Sequence, residues 1–127
     1  MNKKQSLTTD QAPMAIGTYS QAIQAGNTIY ISGQIPLLPE SMTLVSQDID
    51  QQIQQVMNNL DAVCRHAGGS LDSIVKFTVY LIDLHHFDRV NTIMANFLSE
   101  PFPARAVVEV TALPKQSQIE IDAIMVI

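Results

Sequence analysis

Residues 46–81 read SQDIDQQIQQVMNNLDAVCRHAGGSLDSIVKFTVYL, and within this stretch the spacing of apolar residues changes period once. Ile49, Ile53, Val56, Met57, Leu60, Val63, Cys64 and Ala67 recur at intervals of three and four, the stripe of an amphipathic helix. Ser46 is the expected N-cap, Asp48 suits the positive end of the helix dipole, and Gly68-Gly69 supplies the stop. Beyond the glycines the period falls to two. Val75, Phe77, Val79 and Leu81 alternate with Lys76, Thr78 and Tyr80, which predicts a strand over residues 74–81.

Upstream of the helix, residues 19–25 and 28–33 read as two strands around the turn pair Gly26-Asn27. Pro36 and Pro39 then mark a loop to about Thr43. Downstream, a second helix is expected over residues 84–98, with a stripe of Phe87, Val90, Asn91, Met94, Phe97 and Leu98. Asn91 therefore falls on an apolar face, where an amide must find partners or lower stability. Two further strands come after it, residues 105–110 and 118–126, joined through Pro114-Lys115. In the last, Ile119, Ile121, Ala123, Met125 and Ile127 share one face, while Glu120, Asp122, Ile124 and Val126 run from acidic to apolar along the other. Such a strand is covered on both sides for much of its length, by helices on one and by another subunit or a barrel interior on the other. The element order predicts an α+β fold, a mixed β-sheet with two helices packed on one face, in one domain over residues 1–127 with residues 1–12 expected to be mobile.

Charged residues make up 15% of the chain, against roughly 25% in a typical soluble domain. A small domain has much surface for its volume, so this low fraction implies that partners remove part of that surface from water, and a homo-oligomer is expected. The net charge of −5, with seven Lys and Arg in all, disfavours general binding to phosphate backbones. No apolar run approaches the ~18 residues of a membrane span. Residues 1–13 lack the apolar core of a secretory signal, and the single cysteine, Cys64, has no internal disulfide partner. A cytoplasmic enzyme is the expectation.

Several familiar chemistries are missing from the sequence. His85 and His86 are adjacent, so on a helix they point about 100° apart and do not grip one ion unaided. There is no Cys-x-x-Cys, no glycine-rich phosphate loop and no Gly-x-Ser-x-Gly elbow, and Cys64 lies in the helix stripe as an inert buried thiol. The residues call for neither metal nor cofactor. Arg105 stands out because Pro101-Phe102-Pro103-Ala104 delivers it to the start of a strand, sharing a face with Val107 and Glu109. It is either a surface cation paired with Glu109 or a guanidinium fixed at a cleft, offering two parallel donors to a carboxylate. Glu120 is either an outward-facing strand carboxylate or a group that holds or deprotonates a water. Tyr19, Ser32 and Gly33 are ordinary strand-end residues in isolation, and Asn91 is either a pocket amide or a cap on a buried loop carbonyl.

Gly17-Thr18-Tyr19-Ser20-Gln21-Ala22, Ile31-Ser32-Gly33-Gln34-Ile35-Pro36, Gly68-Gly69 with Ile74-Val75-Lys76, Val90-Asn91, Phe102-Pro103-Ala104-Arg105, and Leu113-Pro114-Lys115 with Ile119-Glu120-Ile121 form an ordered set. It spans nearly the whole chain from about residue 12, and it resembles the RidA/YjgF family of reactive intermediate deaminases. The resemblance implies a chorismate-mutase-like fold and a homotrimer with helices outside and sites in clefts between subunits. It implies cofactor-free hydrolysis of 2-iminobutanoate and 2-iminopropanoate, or their enamine tautomers, to 2-oxo acids and ammonia. Carried over by motif, Arg105 binds the substrate carboxylate, Glu120 positions the attacking water and Tyr19 closes over the ligand. Ser32, Gly33 and Asn91 line the pocket, and the backbone at Val107 contributes. The chain departs from the family pattern in three places: Thr18 replaces the usual proline, Val107 replaces a common cysteine, and the loop over residues 99–102 is shorter. The residues leave two other readings open. One is a non-catalytic trimer that binds small carboxylates or regulates; the other is an endoribonuclease or translation inhibitor, which the acidic balance opposes.

Overall fold

The computed structural model describes residues 3–127; Met1 and Asn2, part of the stretch expected to be mobile, lie outside the described residues. In chain order the elements are β1 (Lys4–Leu7), β2 (Ala22–Ala25), β3 (Thr28–Gln34), α1 (Ile49–His66), β4 (Ile74–Leu81), α2 (Phe87–Ala95), β5 (Ala104–Glu109) and β6 (Ile119–Val126). The strands form one six-stranded sheet in the order β1-β2-β3-β6-β4-β5. Neighbours are antiparallel except β4 and β5, which run parallel and so require the crossover that α2 provides. The α+β architecture, with both helices on one face of a mixed sheet, is the one expected.

The cap of α1 corrects the expected one. Asp48, not Ser46, is the N-cap, its carboxylate accepting from the Gln51 N–H at 3.0 Å. Ser46 works one step outside, its hydroxyl accepting from the Asp48 N–H at 3.1 Å. A carboxylate at the cap meets both the orphan N–H groups and the dipole, where a hydroxyl meets only the former. At the other end both glycines are needed, for different reasons. Gly68 sits at φ 97°, in the left-handed region, whereas a Cβ on Gly69 would come within 2.9 Å of the Met125 methyl.

The second helix is shorter than residues 84–98. Leu84–His86 form a 3-10 turn instead, capped by the Asp83 carboxylate accepting from the His85 N–H at 2.9 Å. After Ala95 the chain closes a turn, the N–H groups of Phe97 and Leu98 both donating to the Met94 carbonyl. The N-terminal stretch also differs from expectation: Lys4–Leu7 pair with β2 as an edge strand. Buried Gln21 fastens the segment between β1 and β2, its carboxamide accepting from the Thr9 N–H at 2.7 Å and donating to the Pro13 carbonyl at 2.8 Å.

The core lies between the helices and the sheet. Ile29 and Ile31 of β3, Phe77, Val79 and Leu81 of β4, and Ile119, Ile121 and Met125 of β6 meet Ile53, Val56, Met57 and Leu60 of α1. Each such side chain contributes roughly 1.5–3 kcal/mol of transfer free energy. Buried amides bind the layers with direction as well as area. Gln52 donates to the Ser46 carbonyl at 2.8 Å and accepts from the Gln118 N–H at 2.9 Å, tying α1 to the approach of β6. Asn59 donates to the Leu37 carbonyl at 3.0 Å. Among the described residues no buried side-chain nitrogen or oxygen lacks a partner. The other face of the sheet has no helix on it, and Tyr30, Val108 and Val126 are exposed there. The second cover expected for β6 is therefore absent from the chain's own described elements. Among them no helix is long and apolar enough to cross a membrane.

Candidate functional site

The sheet register sorts the candidate residues onto two faces. Phe77, buried under the helices, lies between Ala123 of β6 and Arg105 of β5, so Arg105 projects on the helix side of the edge strand. Tyr80 lies between Glu120 and Val108, three residues on, so Glu120 projects from the open face. A single chain thus does not bring Arg105 and Glu120 together.

On the helix side, Arg105 stands at the rim of a cleft of about 450 Å³ walled by Phe77, Met94, Leu98 and Phe102. Its guanidinium stacks over the Phe87 ring, with Cζ 5.4 Å from the centroid, an arrangement that suits a flat, weakly hydrated cation. The alternative of an ion pair with Glu109 is not realised, since that carboxylate accepts from the Leu84 N–H at 2.9 Å. Arg65–Asp61 and Arg89–Asp50 form ion pairs among the described residues and the His85 ring hydrogen-bonds with Asp83, and none of these contacts uses Arg105. Asn91 lines the same cleft. It is exposed rather than set in the apolar stripe, because α2 buries Val90, Ile93 and Met94 and leaves residue 91 at the edge. The buried amide that caps loop carbonyls is Asn59. Val107 is half-buried opposite Val79.

On the open face, Tyr19, Ser32, Gly33 and Glu120 line a shallow cleft of about 590 Å³ together with Tyr30 and Asp122. Glu120 lies against the backbone of Gly33. A Cβ there would overlap its carboxylate, with Cδ only 2.8 Å away, so the absence of a side chain at residue 33 makes room for the acid. Burial, and secondarily the charge of Asp122, holds the Glu120 carboxyl above its ordinary value. The Ser32 hydroxyl donates to the Ser20 carbonyl at 2.5 Å and its N–H to the Gln21 carbonyl at 2.9 Å, so this residue holds the segment that presents Tyr19. Tyr19 itself is 52% exposed, its hydroxyl accepting from the Ile16 N–H at 3.2 Å. Sequence reasoning does not single out Tyr80, whose hydroxyl donates to the Asp122 carboxylate at 3.0 Å. A signal exists, since both residues occupy polar positions of alternating strands, but only the pairing of β4 with β6 brings together residues that lie far apart in the chain.

Cys64 is buried in α1, and desolvation pushes its thiol up to about 12, so it is no nucleophile at neutral pH. Among the described residues no three His, Cys, Asp or Glu side chains converge to hold a metal ion.

Residues 9–127 match the family described as Endoribonuclease L-PSP, which comprises the RidA and YjgF proteins. This chain belongs to the RidA/YjgF family. The crystal structure of RidA from the Antarctic bacterium Psychrobacter sp. PAMC 21119 is 50% identical and superimposes with a TM-score of 0.94, covering 97% of this chain and 99% of that one. The human 2-iminobutanoate/2-iminopropanoate deaminase is 43% identical over 120 residues, covering 94% of this chain and 88% of that protein. The structure of E. coli TdcF with bound serine is 34% identical, with a TM-score of 0.91 and coverage of 97% of this chain and 98% of that one. Within this RidA/YjgF chain the positions expected to depart from the family pattern fall near the two clefts. Val107 follows Arg105 on the same face of β5, Thr18 is exposed next to Tyr19, and the loop over residues 99–102 runs up to Phe102 at the rim of the first cleft.

Proposed function

We propose that the chain hydrolyses short reactive 2-imino acids and their enamine tautomers, 2-iminobutanoate and 2-iminopropanoate among them, to 2-oxo acids and ammonia. The observation that carries this reading is Arg105: a stacked guanidinium at the rim of an apolar cleft, without a carboxylate partner among the described residues. A small anion with a short apolar tail is the complement of such a site. Two charge-assisted hydrogen bonds of roughly 1.5–3 kcal/mol each suffice to orient it. The human relative named a 2-iminobutanoate/2-iminopropanoate deaminase and the relative holding serine, itself a small carboxylate, support the choice of ligand.

Because Arg105 and Asn91 lie on one face and Tyr19, Ser32, Gly33 and Glu120 on the other, the reading requires neighbouring copies. In a homotrimer of the family's kind, the open face of one chain meets the edge strand of the next and joins the two clefts. The exposed Tyr30, Val108 and Val126 and the low charged fraction support such an assembly. An imine carbon is already electrophilic, so the work left is orientation and proton transfer. Arg105 anchors the carboxylate, Tyr19 covers the ligand, Ser32, Gly33, Asn91 and the Val107 backbone shape the pocket, and Glu120 holds the water. The water oxygen bonds to the imine carbon and one of its protons passes through Glu120 to the nitrogen, giving a carbinolamine. The remaining hydroxyl proton is then carried to the amino nitrogen by the same carboxylate, the C–N bond breaks, ammonia leaves and the carbonyl forms, with no change of oxidation state. General acid–base help of ~10²–10⁴-fold and fixed orientation are sufficient for so reactive a substrate.

The test is ammonia and oxo-acid release from imines generated in situ by an amino-acid oxidase, together with solution mass. The wild-type protein accelerates release and Arg105→Ala does not. Equal rates with both proteins, or an active monomer, would defeat the reading. Melting-temperature shifts with short 2-oxo acids but no turnover would instead favour a binding protein.

A further inference from the structure

On the open face of the sheet, Glu120 and Asp122 project from the same side of β6, about 6–7 Å apart along the strand. Tyr80 stands directly across from Glu120 on β4, yet its hydroxyl reaches diagonally and donates to Asp122 at 3.0 Å. We propose that Tyr80 and Asp122 are a positioning pair for Glu120: Tyr80 pins the Asp122 carboxylate on the same side of β6, so that a fixed acidic neighbour flanks the group that moves the proton from water to the leaving nitrogen. The inference rests on the deaminase reading for its consequence, but the pair itself is a claim about three side chains.

Three observations support it. Asp122 is the one charged neighbour that contributes to holding Glu120 above its ordinary value, after burial. Tyr80 donates to a carboxylate, and that bond, with burial, pushes its phenol up, so Tyr80 remains a donor through the working pH range. Finally, the Glu120 carboxylate lies directly against the backbone of Gly33, on the same open face as Asp122. Within one chain the other titratable groups toward this face are few, and in the proposed trimer the guanidinium of a neighbouring copy joins them across the cleft. From β4 there is Lys76, exposed and opposite Ile124; from β3, Tyr30; from the loop before β2, Tyr19; and beside Pro114 at the cleft, Lys115. Next to β4, the β5 strand turns Ala104, Ala106 and Val108 this way and adds no charge. Asp122 is therefore the acidic side chain among them that acts on Glu120, and a base with a raised pKa accepts the water proton more readily while remaining able to release it to nitrogen.

The experiment is a ¹³C NMR titration of the glutamate side-chain carboxyls in the full, assembled protein, with the Glu120 resonance assigned by its loss in Glu120→Gln. Asp122→Asn keeps an acceptor for Tyr80 and removes the charge, and it is expected to lower the Glu120 midpoint while leaving the larger effect of burial in place. Tyr80→Phe frees Asp122 to rotate toward solvent and moves the midpoint in the same direction by less. Asp122→Glu, which restores the charge, brings it back toward wild type. In imine turnover at neutral pH, Asp122→Asn is expected to lower kcat about threefold with KM unchanged, as a weaker base would. A Glu120 midpoint that stays put in both Asp122→Asn and Tyr80→Phe overturns the pair. If the midpoint moves but the wild-type protein shows no imine turnover, the pair stands and the deaminase reading falls.

Discussion

The two faces of the sheet are built from the same strands and have opposite chemistry. The helix side of β5 offers a cation over an aromatic ring in an apolar cleft, whereas the open side of β6 offers two carboxylates, tyrosines and a glycine. The first is finished inside one chain: Phe87, Phe77 and Met94 fix the surroundings of Arg105 whatever lies outside. The second is unfinished, with Tyr19 half exposed and Glu120 in a shallow, open cleft. Alternation along β4, β5 and β6 enforces the separation, because residues of opposite parity cannot share a face. One chain by itself does not offer both groups to a single small ligand.

Arg105→Ala breaks that comparison most severely. Loss of two charge-assisted hydrogen bonds predicts a fall in kcat/KM of about 100-fold or more. Stability should change little, since the group is exposed and its stacking is worth only about 0.5–1 kcal/mol. Steady-state kinetics set beside a melting curve check both halves. A variant that loses activity only because it unfolds would assign Arg105 to the scaffold instead.

Gly33→Ala tests the other face. The added methyl meets the flexible end of Glu120 rather than backbone, so the protein should fold with the carboxylate displaced. A misplacement of about 1 Å can reduce a rate by up to about 100-fold, and a loss of roughly 10- to 100-fold in kcat with an unchanged melting temperature is expected.

Glu120→Gln separates the faces by stability. The native state holds the Glu120 proton above the ordinary value of 4.5, so folded protein binds more protons than unfolded protein as pH rises through that value. Glu120 therefore subtracts stability progressively from about pH 4.5 upward, and the loss is complete once its raised midpoint is passed. The glutamine variant should be inactive yet melt higher than wild type at about pH 7, the gap closing toward about pH 4; thermal unfolding across that range reads it directly. A variant that melts lower at neutral pH would mean that the carboxylate is structurally required.

The smallest effect is expected at Cys64. With its thiol pushed up to about 12, it should resist disulfide reagents at about pH 8 in the native protein and react only on unfolding. Prompt labelling without denaturant would show that α1 opens far more readily than its burial implies.

Much of this architecture is legible in the chain itself, and the exceptions have physical causes. The stripe over α1 and the alternation in β4 and β6 are direct consequences of one-sided burial, so they appear in the sequence as period. β1 leaves no such mark because Lys4–Leu7 carries no apolar alternation; its pairing is with β2, at the edge, where little is buried. Ser46 and Asp48 are both good caps by residue type, and only backbone geometry separates them. The spacing of Asn91 puts it on an apolar stripe, yet α2 is short and buries a narrower arc than the expected helix would. At the site, Arg105 is visible through the proline-flanked approach to its strand, and Glu120 through the change from acid to apolar along β6. The Tyr80–Asp122 bond is not visible, since it depends on β6 inserting between β3 and β4, an order that no local pattern encodes.

That insertion has a consequence for how the molecule is made. β6 comes after every other element in the chain, yet it bonds to both β3 and β4 and forms the centre of the sheet. Until it leaves the ribosome, no strand bonds the hairpin half to the β4–β5 half, and the part of the apolar core that β6 supplies stays open to water. Synthesis from the N-terminus therefore cannot yield the fold piece by piece. Assembly waits for the last strand and proceeds through long-range pairing, the slow and aggregation-exposed route for a nascent chain.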